Sequence, residues 1–257
     1  MPSMAGFQAR IIAVLGKGGA GKTVFSALLA RVILDAGLGP LLLVDADPTG
    51  GLAYAVGADM KKTMGEVRER VIRDAANQDI AGEAIAQSID WLVLESLQEM
   101  GDYSLLAMGR TDSRGCFCPV NTLLRVAIEK LAVGFRFVIL DAEAGIEQVN
   151  RQVVRKVDIP VVITDGSVRG LKAAGLVAQL LDKHELSGSG YLVLNRASKI
   201  SGEMPENLEL IGRIPEDQNV QEYDSDGISL LDLPEKSPAL TAVEDMLIGK
   251  LRETSAR

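Results

Sequence analysis

Gly16-Lys17-Gly18-Gly19-Ala20-Gly21-Lys22-Thr23 is the stretch whose reading decides the fold. It fits the phosphate-cradling pattern G-x-x-x-x-G-K-[ST]. Its glycines let the backbone take positive φ and approach a ligand closely. Successive N–H groups then form an anion-binding nest that the positive end of the next helix completes. Lys22 is expected to reach the β- and γ-phosphates, and the Thr23 hydroxyl to ligate Mg²⁺. The flanks agree. The β-prone run Ile11-Ile12-Ala13-Val14-Leu15 comes before the loop, and apolar residues at helical spacing (Phe25, Leu28, Leu29, Val32, Ile33) come after it. Residues Gly16, Gly18, Gly19, Ala20, Gly21, Lys22, Thr23 and Val24 are therefore the expected nucleotide cradle, with ATP and Mg²⁺ as cofactors.

Lys17 is not needed to hold phosphate. With it the loop reads K-G-G-x-G-K-[ST], which resembles the deviant Walker A ATPases. In that class the first lysine crosses a dimer interface to the partner's nucleotide. Carried onto Lys17, the role places a cation on the transferring phosphoryl charge, as an arginine finger does.

Two further apolar runs end in carboxylates, and in open α/β sheets chemistry sits at the carboxyl ends of strands. Leu41-Leu42-Leu43-Val44-Asp45-Ala46-Asp47-Pro48 is one, and Phe137-Val138-Ile139-Leu140-Asp141 is the other. Asp141 resembles the Walker B position, which implies that it holds Mg²⁺ directly or through water. Asp47 matches the aspartate with which similar ATPases orient or deprotonate the attacking water. Asp45 either joins this chemistry or simply closes the strand end. On the base side, Tyr191–Arg196 and Ile211–Asp217 resemble the adenine-side segments of the same class. The resemblance implies Asn195, Arg196, Pro215 and Asp217 as base-side residues. An amide such as Asn195 can donate and accept at once, which suits the adenine edge.

The chain has two cysteines, Cys116 and Cys118, separated by one residue. A disulfide between such near neighbours closes a small strained ring. The only early apolar run is five residues long and feeds the phosphate loop, so no secretory signal is read and a reducing, cytoplasmic setting is expected. Metal binding is the stronger reading, because extended residues i and i+2 point the same way. Thiolates select Zn²⁺, Ni²⁺, Cu⁺ or iron–sulfur iron. Two sulfurs do not close a site, and the lone histidine, His184, follows a helical stretch away from the pair. A second copy across a two-fold axis supplies the other two sulfurs. Lys17 asks for the same homodimer on separate grounds. The alternative is an incidental thiol pair acting as small hydrophobes.

Taken in order, the deviant loop, Asp45-Ala46-Asp47-Pro48, Met108-Gly109-Arg110, Gly115-Cys116-Phe117-Cys118-Pro119-Val120-Asn121, Leu123-Leu124-Arg125 and Asp141-Ala142-Glu143-Ala144-Gly145-Ile146-Glu147 resemble the CooC family. These are nickel-associated ATPases that mature carbon monoxide dehydrogenase. The resemblance spans nearly the whole chain. It implies an ATP-hydrolysing dimer with Ni²⁺ or Zn²⁺ at the cysteine pair, and a nickel carbon monoxide dehydrogenase or acetyl-CoA synthase as client. Two positions depart from the family pattern. Gln148 stands where a histidine is expected, and Gly166 stands where a proline is expected before Ser167.

Composition bounds the rest. The chain has 257 residues, 47% of them apolar, and a net charge of −8; its mean hydropathy is +0.16. One core-forming domain over 1–257 fits that length. The negative charge argues against a nucleic-acid or anionic-membrane surface, and no apolar run is long enough to span a bilayer. The segment Leu240–Leu251 lacks the basic cluster and aromatic anchor of a membrane-surface helix. Alternating patterns predict strands at 10–15, 41–45, 91–94, 104–108, 137–141, 160–164, 191–195 and 210–212. Helices are predicted at 22–36, 121–133, 148–156, 169–184, 216–223 and 238–253. Residues 61–87 read as a peripheral helical insertion. The fold class is α/β: a P-loop NTPase with a mostly parallel twisted sheet and helices on both faces. Two other functions fit the loop: an electron-transfer ATPase with an iron–sulfur cluster between subunits, and a positioning or partition ATPase, which leaves the cysteines without a role.

Overall fold

The computed structural model describes residues 9–77, 91, 93–110, 118–142, 157–183, 190–197 and 199–255. Among these, eight strands form one sheet in the order β3-β4-β2-β5-β1-β6-β7-β8. They are β1 (Arg10–Gly16), β2 (Leu41–Asp45), β3 (Gln98–Glu99), β4 (Tyr103–Ala107), β5 (Phe137–Asp141), β6 (Ile159–Thr164), β7 (Gly190–Asn195) and β8 (Leu208–Ile214). All neighbours pair in parallel except β3, which runs antiparallel to β4 at the edge. The helices are α1 (Lys22–Asp35), α2 (Gly51–Ala55), α3 (Met64–Asn77), α4 (Cys118–Leu131), α5 (Val168–Lys183), α6 (Gln218–Asp226) and α7 (Pro238–Ser255).

The inner strands are apolar on both faces because each face is covered by helices. Ile12, Val14, Leu41, Leu43, Ile139 and Val161 share one core layer with Phe25, Leu28 and Leu29 of α1 and Val243 and Leu247 of α7. The alternate residues Ala13, Leu15, Leu42, Val44, Val138 and Val162 face the other layer, with Leu124 and Ile128 of α4 and Leu171 and Val177 of α5. Met64 and Val67 of α3 join this second layer. α3 opens with a reciprocal cap: the Thr63 N–H donates to Glu66 Oε2 at 2.9 Å, and the Glu66 N–H donates to Thr63 Oγ1 at 3.3 Å.

The predicted strand at 91–94 is corrected. Residues 93–96 are helical, and the Ser96 hydroxyl donates back to the Val93 carbonyl at 2.7 Å. Val93 is buried, but Trp91 is 65% exposed and Leu94 60% exposed. Inner strands such as β2 and β4 are buried at every position, whereas this segment buries, among its described residues, only Val93 and Ser96. The edge strand that pairs with β4 is β3. The predicted helix at 148–156 and the 78–87 part of the expected insertion lie outside the described residues, as does His184. α4 begins three residues earlier than expected, at Cys118. Pro119 sits in its first turn, where a missing N–H leaves no intrahelical bond unmade. No described helix is long and apolar enough to cross a membrane.

Candidate active site

β1 lies between β5 and β6, at the point where the chain's crossovers reverse direction. The crevice beyond the carboxyl ends of these strands is where ligands bind in open α/β sheets. The phosphate loop starts there. Gly16 takes φ 137° with its Cα against the Ile163 carbonyl: an added Cβ would lie 2.3 Å from that oxygen. Gly21, the N-cap of α1, takes φ 93°, and an added Cβ would lie 2.1 Å from Asn195 Nδ2. Both positions demand glycine on conformation and on space.

A cavity of about 840 Å³ opens along the loop. Gly16, Lys17, Gly18, Gly19, Gly21, Lys22, Thr23, Val24, Asp47, Asn195, Arg196, Pro215 and Asp217 line it, together with Ala173, Val177, Val220 and Gln221. Nearly the whole expected cradle therefore converges on one space. Ala20 does not line the cavity; it is buried, and its carbonyl accepts from Asn195 Nδ2 at 2.8 Å. Lys22 is buried, and its ammonium lies 3.4 Å from the Lys17 carbonyl. The Lys17 side chain is exposed.

Asp141 is 1% exposed at the end of β5. Burial pushes its carboxyl up to about 6, against the opposing pull of the Thr23 hydroxyl, the Lys22 ammonium and the Ser26 hydroxyl. Its Oδ1 is buried with no hydrogen-bond partner among the described residues. An orphaned carboxylate oxygen beside a threonine hydroxyl is a donor set of hard oxygens, and it fits Mg²⁺. Asp47 is half-buried, and its Oδ1 accepts from the Thr49 N–H and hydroxyl, both at 2.7 Å. A Cβ on Gly51 would lie 3.6 Å from Thr23 Oγ1 and 3.8 Å from Asp47 Oδ2, so both groups adjoin Gly51.

Asp45 behaves differently from its neighbours. It is fully buried, and burial raises its carboxyl to about 7 although the N–H groups of Ala53 and Asp47 pull it down. Sequence left it between catalysis and closing the strand end; its bonds go to backbone.

On the base side, Asn195 sits at the end of β7, lines the cavity and commits one amide hydrogen to the loop. Arg196 is exposed at φ 53°. The Asp217 carboxylate is consumed by the fold. Oδ1 accepts from the Asn219 N–H at 2.9 Å as the N-cap of α6, and Oδ2 accepts from the Ser237 hydroxyl at 2.6 Å and the Ala239 N–H at 3.0 Å. Burial raises this carboxyl, but those donors outweigh it and hold it below its ordinary value.

The loop after β6 explains one departure from the family pattern. Gly166 takes φ 71°, which a proline ring forbids. Asp165 Oδ1 accepts from the Ser167 hydroxyl at 2.6 Å and N–H at 3.0 Å. The Ser167 hydroxyl first, and the nearby positive charge of Lys17 further down, lower the Asp165 carboxyl. Cys116 and Gln148 lie outside the described residues, and Cys118 is described as backbone only. Sequence reasoning missed Ser26, whose buried hydroxyl faces Asp141, and Ser237, which binds Asp217; neither belongs to a motif.

Three comparisons bear on this site. Residues 11–230 match the family CbiA, described as the CobQ/CobB/MinD/ParA nucleotide binding domain. An uncharacterized ATP-binding protein of Methanocaldococcus jannaschii is 38% identical, covering 92% of this chain and 96% of its own length. The carbon monoxide dehydrogenase accessory protein CooC of Rhodospirillum rubrum is 29% identical, covering 94% of this chain and 96% of its own. Among solved structures, the septum site-determining protein MinD of Pyrococcus horikoshii, complexed with Mg-ADP, superposes with a TM-score of 0.71 at 21% identity, covering 97% of this chain and 100% of that one.

Proposed function

Since the chain belongs to the CobQ/CobB/MinD/ParA family of nucleotide-binding ATPases, we propose that it is a nucleotide-switched dimeric metallochaperone. Its cargo is nickel, and its client is carbon monoxide dehydrogenase or a related nickel enzyme such as acetyl-CoA synthase. The observation that carries this reading is the pairing, in one chain, of a deviant phosphate loop with a Cys-x-Cys, alongside 29% identity to a CooC protein over 94% of the chain.

In this mechanism the N–H groups of residues 18–23 and the Lys22 ammonium bind the phosphates. Thr23 and Asp141 hold Mg²⁺, which when bound neutralises phosphoryl charge. Asp47 orients the attacking water and takes up its proton. Lys17 acts elsewhere, reaching the partner's nucleotide when two copies meet, so that ATP favours the closed dimer. Closure brings two Cys116–Cys118 pairs together and gives a four-sulfur site for Ni²⁺ or Zn²⁺. Hydrolysis relaxes the site and releases the cargo. Metal affinity and nucleotide state are then linked, and the linkage runs both ways.

A positioning or partition ATPase is the second reading, favoured by the close superposition on MinD. Metal titration with and without a non-hydrolysable ATP analogue separates the two. Nickel delivery requires tighter metal binding in the analogue-bound state; equal affinity in both states favours the positioning reading.

A further inference from the structure

Asp45 plays no part in the chemistry above, yet it is 0% exposed and both of its carboxylate oxygens are engaged. Oδ1 accepts from the Asp47 N–H at 3.0 Å, and Oδ2 accepts from the Ala53 N–H at 2.9 Å. Both donors are backbone groups of the loop that carries Asp47, one near its start and one inside α2.

The second bond supplies what α2 lacks. An N–H in the first turn of a helix has no acceptor within that helix, and the N-cap here is Gly50, which makes no side-chain cap bond. Ala53 is the third residue of α2, and its orphan donor is satisfied by Asp45 from the end of β2. The base of this staple is rigid. β2 is paired on both sides, with Asp45 opposite Asp141 on β5 and Ala107 on β4. The Asp45 carbonyl also accepts from the Met108 N–H at 2.8 Å.

Asp47 is itself the first stapled point, and Thr49 and Gly51 lie between it and Ala53. Gly51 adjoins both Thr23 and Asp47: an added Cβ would be in ordinary contact with Thr23 Oγ1 and Asp47 Oδ2. Releasing either arm lets Asp47 shift against Thr23, and misplacement of about 1 Å at a reacting group costs on the order of 100-fold in rate.

We propose that Asp45 is a positioning residue for hydrolysis: its carboxylate staples both ends of the Asp47 loop to the sheet and so fixes Asp47 relative to the Mg²⁺-side hydroxyl of Thr23. The role rests on the assignment of Asp47 in the proposed function. A carboxylate is required because both oxygens accept. An asparagine of the same size keeps one acceptor and turns an NH₂ toward the other N–H.

The test is steady-state ATPase on full-length wild type, Asp45→Asn and Asp47→Ala, with hydrogen exchange on the wild type. Asp45→Asn is expected to lower kcat at least tenfold while KM for ATP stays within about threefold. In the nucleotide-free wild type, the amides of Asp47 and Ala53 are expected to be protected. Asp45→Asn turning over at the wild-type rate while Asp47→Ala is inactive overturns the positioning role alone. An Asp47→Ala enzyme with wild-type turnover overturns the assignment of Asp47 beneath it. A matched loss in kcat and ATP affinity in Asp45→Asn overturns the proposal in favour of general damage to the site. If Asp45→Asn does not fold, the wild-type exchange decides: protected amides support the staple, and unprotected rates at Asp47 and Ala53 refute it.

Discussion

Replacing Gly21 by alanine perturbs the phosphate loop and the base side at once. Gly21 takes φ 93° and ψ 28°, and a left-handed conformation costs an L-residue about 1–2 kcal/mol. The new Cβ would also lie 2.1 Å from Asn195 Nδ2, the nitrogen that donates to the Ala20 carbonyl at 2.8 Å. Displacing a buried amide from its partner costs about 1–3 kcal/mol more. The sum is roughly 2–5 kcal/mol, and each kcal/mol shifts Tm by about 2–4 °C in a chain of this size. Gly21→Ala is therefore expected to melt roughly 4–20 °C below wild type without nucleotide. Its affinity for a fluorescent ATP analogue should fall as well. Gly18→Ala is the control, because a Cβ there meets nothing within 4 Å and its φ is not left-handed; it is expected to stay within about 0.5 kcal/mol of wild type. Differential scanning fluorimetry on the three proteins reads the difference. Equal melting of Gly21→Ala and wild type, or equal damage from Gly18→Ala, refutes the reasoning.

Four other outcomes are expected. Burial raises Asp45 to about 7 and Asp141 to about 6, from an ordinary value of 3.8. Both folded values lie above the unfolded one, so the stability these groups contribute is fully present below pH 3.8 and is lost progressively from there as pH rises through about 6 and about 7. In a thermal melt series between about pH 5 and 8, Asp141→Asn should flatten this slope, and an unchanged slope speaks against the assignment. In the proposed mechanism the ionised Asp141 holds Mg²⁺, so half-saturating Mg²⁺ for ATPase should rise below about pH 6. Lys17→Ala is expected to keep ATP affinity within about threefold while turnover falls on the order of 1,000-fold, as read by nucleotide titration beside steady-state hydrolysis. Cys116→Ser is expected to abolish stoichiometric zinc or nickel binding, measured by metal analysis of the purified protein, with basal ATPase retained within about twofold.

The sequence made the nucleotide side legible because its physics is local. The phosphate loop needs glycine where φ is positive and a helix immediately after, and both conditions are written in consecutive residues. Asp141 was readable because a fully apolar run that ends in a carboxylate has few other uses. Long-range roles were hidden. Asp217 caps α6 and ties down the start of α7 through Ser237, twenty positions away, so nothing next to it distinguishes a ligand group from a structural one. Asp45 is similar: its acceptor role depends on Ala53 folding back beneath β2. The segment at 91–94 was misread because Trp91-Leu92-Val93-Leu94 is too short an apolar run for periodicity to separate strand from helix. The edge strand β3 consists of Gln98 and Glu99, whose polar side chains give no strand signal. Gly166 drew notice only as a departure from a pattern, and its positive φ supplies the reason.

The central claim, that two chains meet around ATP and share a four-sulfur metal site, is tested most directly by sedimentation velocity on the Asp47→Ala protein saturated with Mg-ATP and nickel or zinc, with metal analysis of the separated species. A dimer carrying one metal ion per two chains is the expected result. A monomer under these conditions, or a dimer whose metal content is unchanged in a Cys116→Ser, Cys118→Ser background, contradicts it.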